Sequence, residues 1–195
     1  MKKRIFSIAL VVGITLIVIS LCMVVVSQIR AHMGADKSQQ IVRKLQELLS
    51  PETTGVPGVS QNTGMPVLQI HGRDYVALLE IPSLEVILPV ADEWDSDRLH
   101  ESPARFCGSA YDNTMVIGGT DHAGQLSFCD EIEHGTVVTV TDMTGAKFAY
   151  QVSRIDRAGD ANTRWLSHGD FDLTLYCRDT YSMEYIAVRC VIAGR

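Results

Sequence analysis

The first thirty residues of this 195-residue chain contain no acidic side chain, and nowhere does the chain carry a short motif that marks a metal or nucleotide site. There is no C-x-x-C and no H-E-x-x-H, so the common zinc spacings are missing. A G-x-G-x-x-G, a P-loop, an EF-hand loop and a G-x-S-x-G are also absent, which removes the dinucleotide, phosphate-loop, calcium and serine-hydrolase signatures. No internal repeat is present. Neither a metal nor a cofactor is expected. Excess positive charge is lacking too. The formal net charge is −6, and beyond residue 30 there are 13 basic against 23 acidic residues, a net −10. That balance argues against nucleic acid as a partner and against nonspecific attraction to anionic polymers.

What the sequence does have begins with a nearly unbroken apolar run over residues 5–26. At about 1.5 Å per residue it covers roughly 33 Å, enough to cross a bilayer core. It is longer than the apolar region of a signal peptide, and no clear small-x-small cleavage site follows. Lys2, Lys3 and Arg4 precede it, against the single Arg30 after it. The positive-inside rule therefore predicts a single-pass anchor with a cytoplasmic N-terminus and everything after about residue 30 outside the cell. Of five cysteines, Cys22 lies in that run, whereas Cys107, Cys129, Cys177 and Cys190 fall in the outer part, where disulfides are permitted.

Residues 36–50 read as an amphipathic helix. Ile41, Val42, Leu45, Leu48 and Leu49 fall on one face, Asp36 or Ser38 can cap the start, and Pro51 ends it. Its simplest role is to pack on the domain or to form a stalk. Residues 51–66 are rich in Pro, Gly, Thr and Ser and read as a linker. From residue 67 the texture is short β-like runs, at 75–81, 86–90, 114–118, 137–141, 147–153, 173–176 and 185–192, with a good turn at 142–145. Residues 92–100 and 126–133 read as short helices. The predicted fold is mainly β, a closed or nearly closed barrel with a few short helices, plus an N-terminal transmembrane helix. The division is 1–30 cytoplasmic tip and anchor, 31–66 helix and linker, 67–195 extracellular barrel.

Several blocks of the barrel region resemble a known family. They are LEIPSL at 79–84, PARFCGS at 103–109, VIGG at 116–119, GTVVTV at 135–140 and DLTLYCR at 172–178, followed by VRC at 188–190. In order and spacing they resemble the sortases, and among them the class B and related clostridial enzymes. The resemblance covers residues 70–195. Sortases are membrane-anchored cysteine transpeptidases of Gram-positive bacteria. The resemblance implies a cysteine thiolate that attacks a sorting-signal carbonyl, an arginine that stabilises the oxyanion and a histidine that protonates the leaving amine.

Two of those three residues are out of place. Aligned without gaps, Gly118-Gly119 matches the family's A-G, and the histidine position that follows is Thr120; His122 comes two residues later. The family's T-L-x-T-C strand aligns so that its cysteine position is Arg178, with Cys177 in the threonine position before it. One residue along a strand is a change of face. Only Arg189 matches its family position. Counting across the ungapped hairpin sets Arg178 opposite Arg189 and Cys177 opposite Cys190. That register predicts either a Cys177–Cys190 disulfide, after some local adjustment, or two free buried thiols. Without a catalytic role, Arg189 reads as a structural ion-pair partner of Asp121 or Asp179, and His122 as a loop histidine at a strand end.

Three readings follow. The leading one is a degenerate sortase, a pseudoenzyme that keeps a groove for an extended peptide or sorting-signal segment, with Arg178 and Arg189 as a cationic pair. The second is an active transpeptidase that attaches surface proteins or polymerises pilins through Cys177, His122 and Arg189, made possible by loop slips or bulges. The third is a structural partner in a cell-surface assembly. Fold alone does not choose among them.

Overall fold

The computed structural model describes residues 2–49, 59–60, 64–95, 98–99, 101–122, 124–159, 166, 171–179 and 182–194, excepting the side chains of 2–12, 24–35 and 59–60. It opens with one continuous helix, α1 (Lys2–Leu48). The expected anchor and the expected amphipathic helix are thus a single element. Between them only Gly34 disfavours helix, and one glycine costs about 1 kcal/mol relative to alanine, too little to break a long helix. Among the described residues no helix is long and apolar enough to cross a membrane. Within the described part of the apolar run, Ile14, Leu16, Ile17, Val18, Ile19, Leu21 and Met23 are all exposed.

Ten strands follow, in chain order: β1 (Val59–Ser60), β2 (Val67–Ile70), β3 (Arg73–Ile81), β4 (Val86–Ala91), β5 (Ala104–Cys107), β6 (Met115–Thr120), β7 (Val137–Asp142), β8 (Lys147–Ala158), β9 (Leu173–Arg178) and β10 (Tyr185–Ile192). β3 pairs with β4 along one edge and with β7 along the other, so the order β3-β4-β5-β6-β9-β10-β8-β7 closes on itself as an eight-stranded barrel. Most neighbours are antiparallel, but β4 and β5, and β6 and β9, run parallel. The β1–β2 pair lies outside the barrel on the β3 edge. Part of the expected linker is therefore a strand. The segment 92–100 contains no helix in its described residues, and only a 3-10 turn, Ser127–Asp130, forms within 126–133.

The turns follow from their residues. His71-Gly72 joins β2 to β3 with both residues at positive φ, the conformation a two-residue hairpin turn needs. After β7, Asp142 Oδ1 accepts from the backbone N–H groups of Thr144 and Ala146 and from the Thr144 hydroxyl, while Gly145 supplies φ +87°.

Three apolar clusters divide the molecule. The barrel interior is filled by residues such as Val76, Leu79, Ile117, Val140, Leu175, Cys177, Val188 and Cys190. A second cluster joins Ile41, Val42 and Leu45 of α1 to Leu68, Ile70, Tyr75 and Leu78 on the outside of the sheet. Full burial of such side chains is worth roughly 1.5–3 kcal/mol each, which fixes the end of α1 to the barrel. A third cluster, on the outer face of β6, β9 and β10, gathers Val116, Tyr176, Ala187 and Leu166, with Trp94, Phe106, Cys107 and Tyr185 packed against them.

Candidate functional site

Strand alternation sorts the side chains of interest into two faces. On β9, Leu173, Leu175 and Cys177 point into the barrel core, and Tyr176 belongs to the outer cluster. Thr174 and Arg178, two residues either side of Tyr176, share that outer face. On β10, Ile186, Val188 and Cys190 are inward, which leaves Tyr185, Ala187 and Arg189 outward. Cys177 is only 1% exposed.

The parallel pairing of β6 with β9 brings the two strand ends together. Gly119 is the partner of Cys177, and Thr120 is the partner of Arg178. The positions that the resemblance assigns to histidine and cysteine are thus neighbours at one rim of the barrel. Thr120 Oγ1 is buried and has no hydrogen-bond partner among the described residues. Arg178 is exposed, its guanidinium 5.6 Å from the centroid of the Tyr185 ring. His122 follows on an exposed bend, its Nδ1 3.5 Å from Asp121 Oδ1.

Arg189 is placed differently from expectation. It pairs with Thr174, not with Arg178, because the hairpin register is four residues away from the predicted one. Arg178 faces Tyr185 instead. Four residues along a strand is roughly 13 Å at about 3.3 Å per residue, so Arg178 and Arg189 are not a local cationic pair. The Arg189 guanidinium is buried at 1% exposure. Its Nε donates to Asp156 Oδ2 at 3.2 Å, and Nη1 donates to the Leu166 carbonyl at 2.6 Å and to Thr174 Oγ1 at 3.1 Å. Burial pulls its pKa down, and Asp156 opposes that shift. Among the expected carboxylates, neither Asp121 nor Asp179 has this role; Asp156 on β8 does, as the neighbour across β10.

The same register separates the cysteines. Cys177 faces Ile186 and Cys190 faces Leu173, too far apart along the hairpin for a disulfide, which needs Cα atoms within about 7 Å. Both are free thiols, as are Cys107 and Cys129. Cys177 instead shares the barrel core with Cys129, from the 3-10 turn. The neighbouring Cys177 side chain first, and burial second, hold the Cys129 thiol well above its usual pKa. Burial pushes Cys190 to about 12. Cys107 is only half-buried, and its thiol too is raised by burial, against the pull of Arg105.

Some residues on this face were not singled out by the sequence reading. The Trp94 ring stacks on Tyr176 at 5.6 Å, and Phe106 meets both edge-on at 5.4 and 5.7 Å. A Cβ on Gly118 would come within 2.4 Å of both Trp94 and Tyr176, so the glycine is what admits the stack. The available signal was an outward aromatic on β9 beside two consecutive glycines on β6. Gln125 lies buried beside Gly119, with its Oε1 unpartnered among the described residues. No group of three or more His, Cys, Asp or Glu side chains among the described residues is placed to hold a metal ion.

No family model and no curated protein matches the sequence. Solved structures do match the fold. Sortase A from Corynebacterium diphtheriae is similar at a TM-score of 0.53 and 19% identity, over 63% of this chain and 62% of that one. This chain thus spans less than two thirds of that relative. A sortase D5 transpeptidase from Clostridium perfringens matches at 0.59 and 16% identity, over 82% of this chain and 99% of that one. Clostridium perfringens sortase C with a C-terminal cell wall sorting motif matches at 0.53 and 22%, over 83% and 90%. The eight-stranded barrel with its parallel β6–β9 pair has the sortase-like fold.

Proposed function

We propose that this is a membrane-anchored member of the sortase family that no longer performs acyl transfer and that binds an extended peptide across its outer face. The single observation that carries the reading is the Thr120–Arg178 partnership at the rim where β6 and β9 end. A threonine hydroxyl does not titrate in the range a general acid needs. A guanidinium stays protonated and is no nucleophile. Cys177, the nearest thiol in sequence, points into the barrel core, and His122 stands on an exposed bend. The outer face offers a stacked aromatic floor with Arg178 at its edge, suited to apolar side chains and to a carboxylate. Anchoring rests on the apolar run, whose described side chains at 16–19 are exposed on every side of the helix.

The test is purified full-length protein against a panel of sorting-signal peptides. Labelled peptide should bind saturably without cleavage, transfer or a covalent thioester adduct. Turnover by the parent and its loss in Cys177→Ala would establish instead a transpeptidase working through Cys177. Absence of both binding and turnover would favour a structural role in a cell-surface assembly.

A further inference from the structure

A second site lies away from that face, where α1 meets the barrel. A cleft of about 290 Å³ is bounded by Lys37 on α1, His71 at the β2–β3 turn, Arg73 and Tyr75 on β3, and Arg98 and Glu101 before β5. Three cations converge on one carboxylate. Glu101 lies 3.7 Å from Lys37 Nζ, 3.3 Å from Arg73 Nη1 and 3.2 Å from Arg98 Nη2. These four side chains leave a net charge of +2, on a region of the chain whose overall charge is −10.

Arg73 is the unusual member. Its side chain is 6% exposed, and Nη1 also donates to the Arg98 carbonyl. Its Nη2, however, is buried with no hydrogen-bond partner among the described residues. A buried charged donor left unpaired is costly, and arginine presents its donors in a fork that fits a planar or tetrahedral oxyanion.

We infer that this cleft is an oxyanion site that takes a small phosphate ester, held by Lys37 and Arg98 at its mouth, with the buried Arg73 guanidinium supplying positive charge from beneath. The volume is near the lower limit of small-molecule pockets, which suits a single phosphate group with a short substituent. Charge points the same way. An excess of two positive charges matches a phosphate better than a lone carboxylate. The source is decided by distance, resting on the anchoring reading above. Lys37 is eleven residues past the end of the apolar run, roughly 16 Å along a helix. The headgroup layer adds only about 5–8 Å beyond each side of the hydrocarbon. The cleft therefore stands clear of the bilayer, and the ligand is a water-borne ester, not a lipid headgroup.

The experiment titrates the full chain in nonionic detergent with inorganic phosphate and with glycerol 3-phosphate at constant ionic strength, read by calorimetry. A parallel arm uses the chain in phosphatidylglycerol and phosphatidylcholine nanodiscs. Both soluble probes should bind saturably. Combined Lys37→Gln and Arg98→Gln should weaken binding about tenfold or more. Glu101→Gln should tighten it several-fold, a direction that damage to the fold does not produce. Failure to saturate at millimolar phosphate overturns the site. So does equal binding by the parent and the Lys37/Arg98 variant, or weaker binding by Glu101→Gln. Binding that appears only with phosphatidylglycerol overturns the assignment to a water-borne ester. None of these readouts depends on peptide binding or transpeptidation, so this site and the proposed function fail separately.

Discussion

Thr120 and Arg178 are backbone partners on two parallel strands that end at the same rim. If this rim is a vacated acyl-transfer site, replacing both should restore part of the chemistry. Thr120→His with Arg178→Cys is expected to form a covalent thioester with a sorting-signal peptide, detectable as a mass increment on the intact protein. Neither single variant should do so. Failure of the double variant, while it still binds peptide, would indicate that the rim lacks more than these two side chains.

Arg189 is expected to act on stability. Arg189→Ala removes the donor to Asp156, the Leu166 carbonyl and Thr174 in a buried setting. The loss should be about 3 kcal/mol, the range for breaking a buried charged network from one side. Arg154 also pairs with Asp156, which limits the damage to the carboxylate. Urea unfolding measures this directly. A change within about 0.5 kcal/mol would mean a solvent-facing arginine and would contradict the placement.

Thiol chemistry separates the cysteines beyond the apolar run. Cys107 is half-buried, whereas Cys129, Cys177 and Cys190 are buried. A maleimide should modify Cys107 first in the native protein, and the other three only on unfolding. Forced oxidation should link Cys129 to Cys177, neighbours in the barrel core, and a nonreduced digest should contain no Cys177–Cys190 peptide. Finding that peptide would restore the register predicted from the sequence.

Gly118→Ala places a methyl 2.4 Å from the Trp94 and Tyr176 rings. Overpacking of this kind costs about 1–3 kcal/mol. Adding Trp94→Ala should recover part of the loss, so the two changes should be non-additive in thermal or urea unfolding. Strict additivity would mean that Trp94 does not stack there.

The α1 junction should weaken in acid. Burial raises the pKa of Glu101, but Arg98, Lys37 and Arg73 outweigh it and bring the carboxyl below its ordinary value of 4.5. A group with a lowered folded pKa stabilises fully above its unfolded pKa and loses that contribution as pH falls through the folded one. Lys37 faces it from α1, Arg73 and Tyr75 from β3, His71 from the turn, and Arg98 from the preceding loop. Amide protection over residues 37–48, taken relative to the intrinsic exchange rate at each pH, should therefore fall below about pH 4.5, and Glu101→Gln should flatten that dependence. An unchanged acid profile in the variant would remove Glu101 as the cause.

Much of the fold was legible in the chain because local patterns carry it. Alternating β-branched and apolar residues placed β3, β4, β7, β8, β9 and β10 within a few residues, and Asp142 with Gly145 encoded their turn. The apolar stripe Ile41, Val42, Leu45 gave the packing face of α1. Inward and outward positions on β9 followed from period two, so the burial of Cys177 was readable once Arg178 was assigned to the outer face. What the sequence could not supply was the register of β9 against β10, since a hairpin loop of uncertain length shifts every cross-strand pair together. Tertiary structure alone set Arg189 against Thr174 and Asp156 and separated Cys177 from Cys190. It also brought together residues far apart in the chain, Trp94 on Tyr176 and Lys37 beside Arg73 and Glu101. Those contacts depend on barrel closure and on where α1 docks, and no local spacing encodes either.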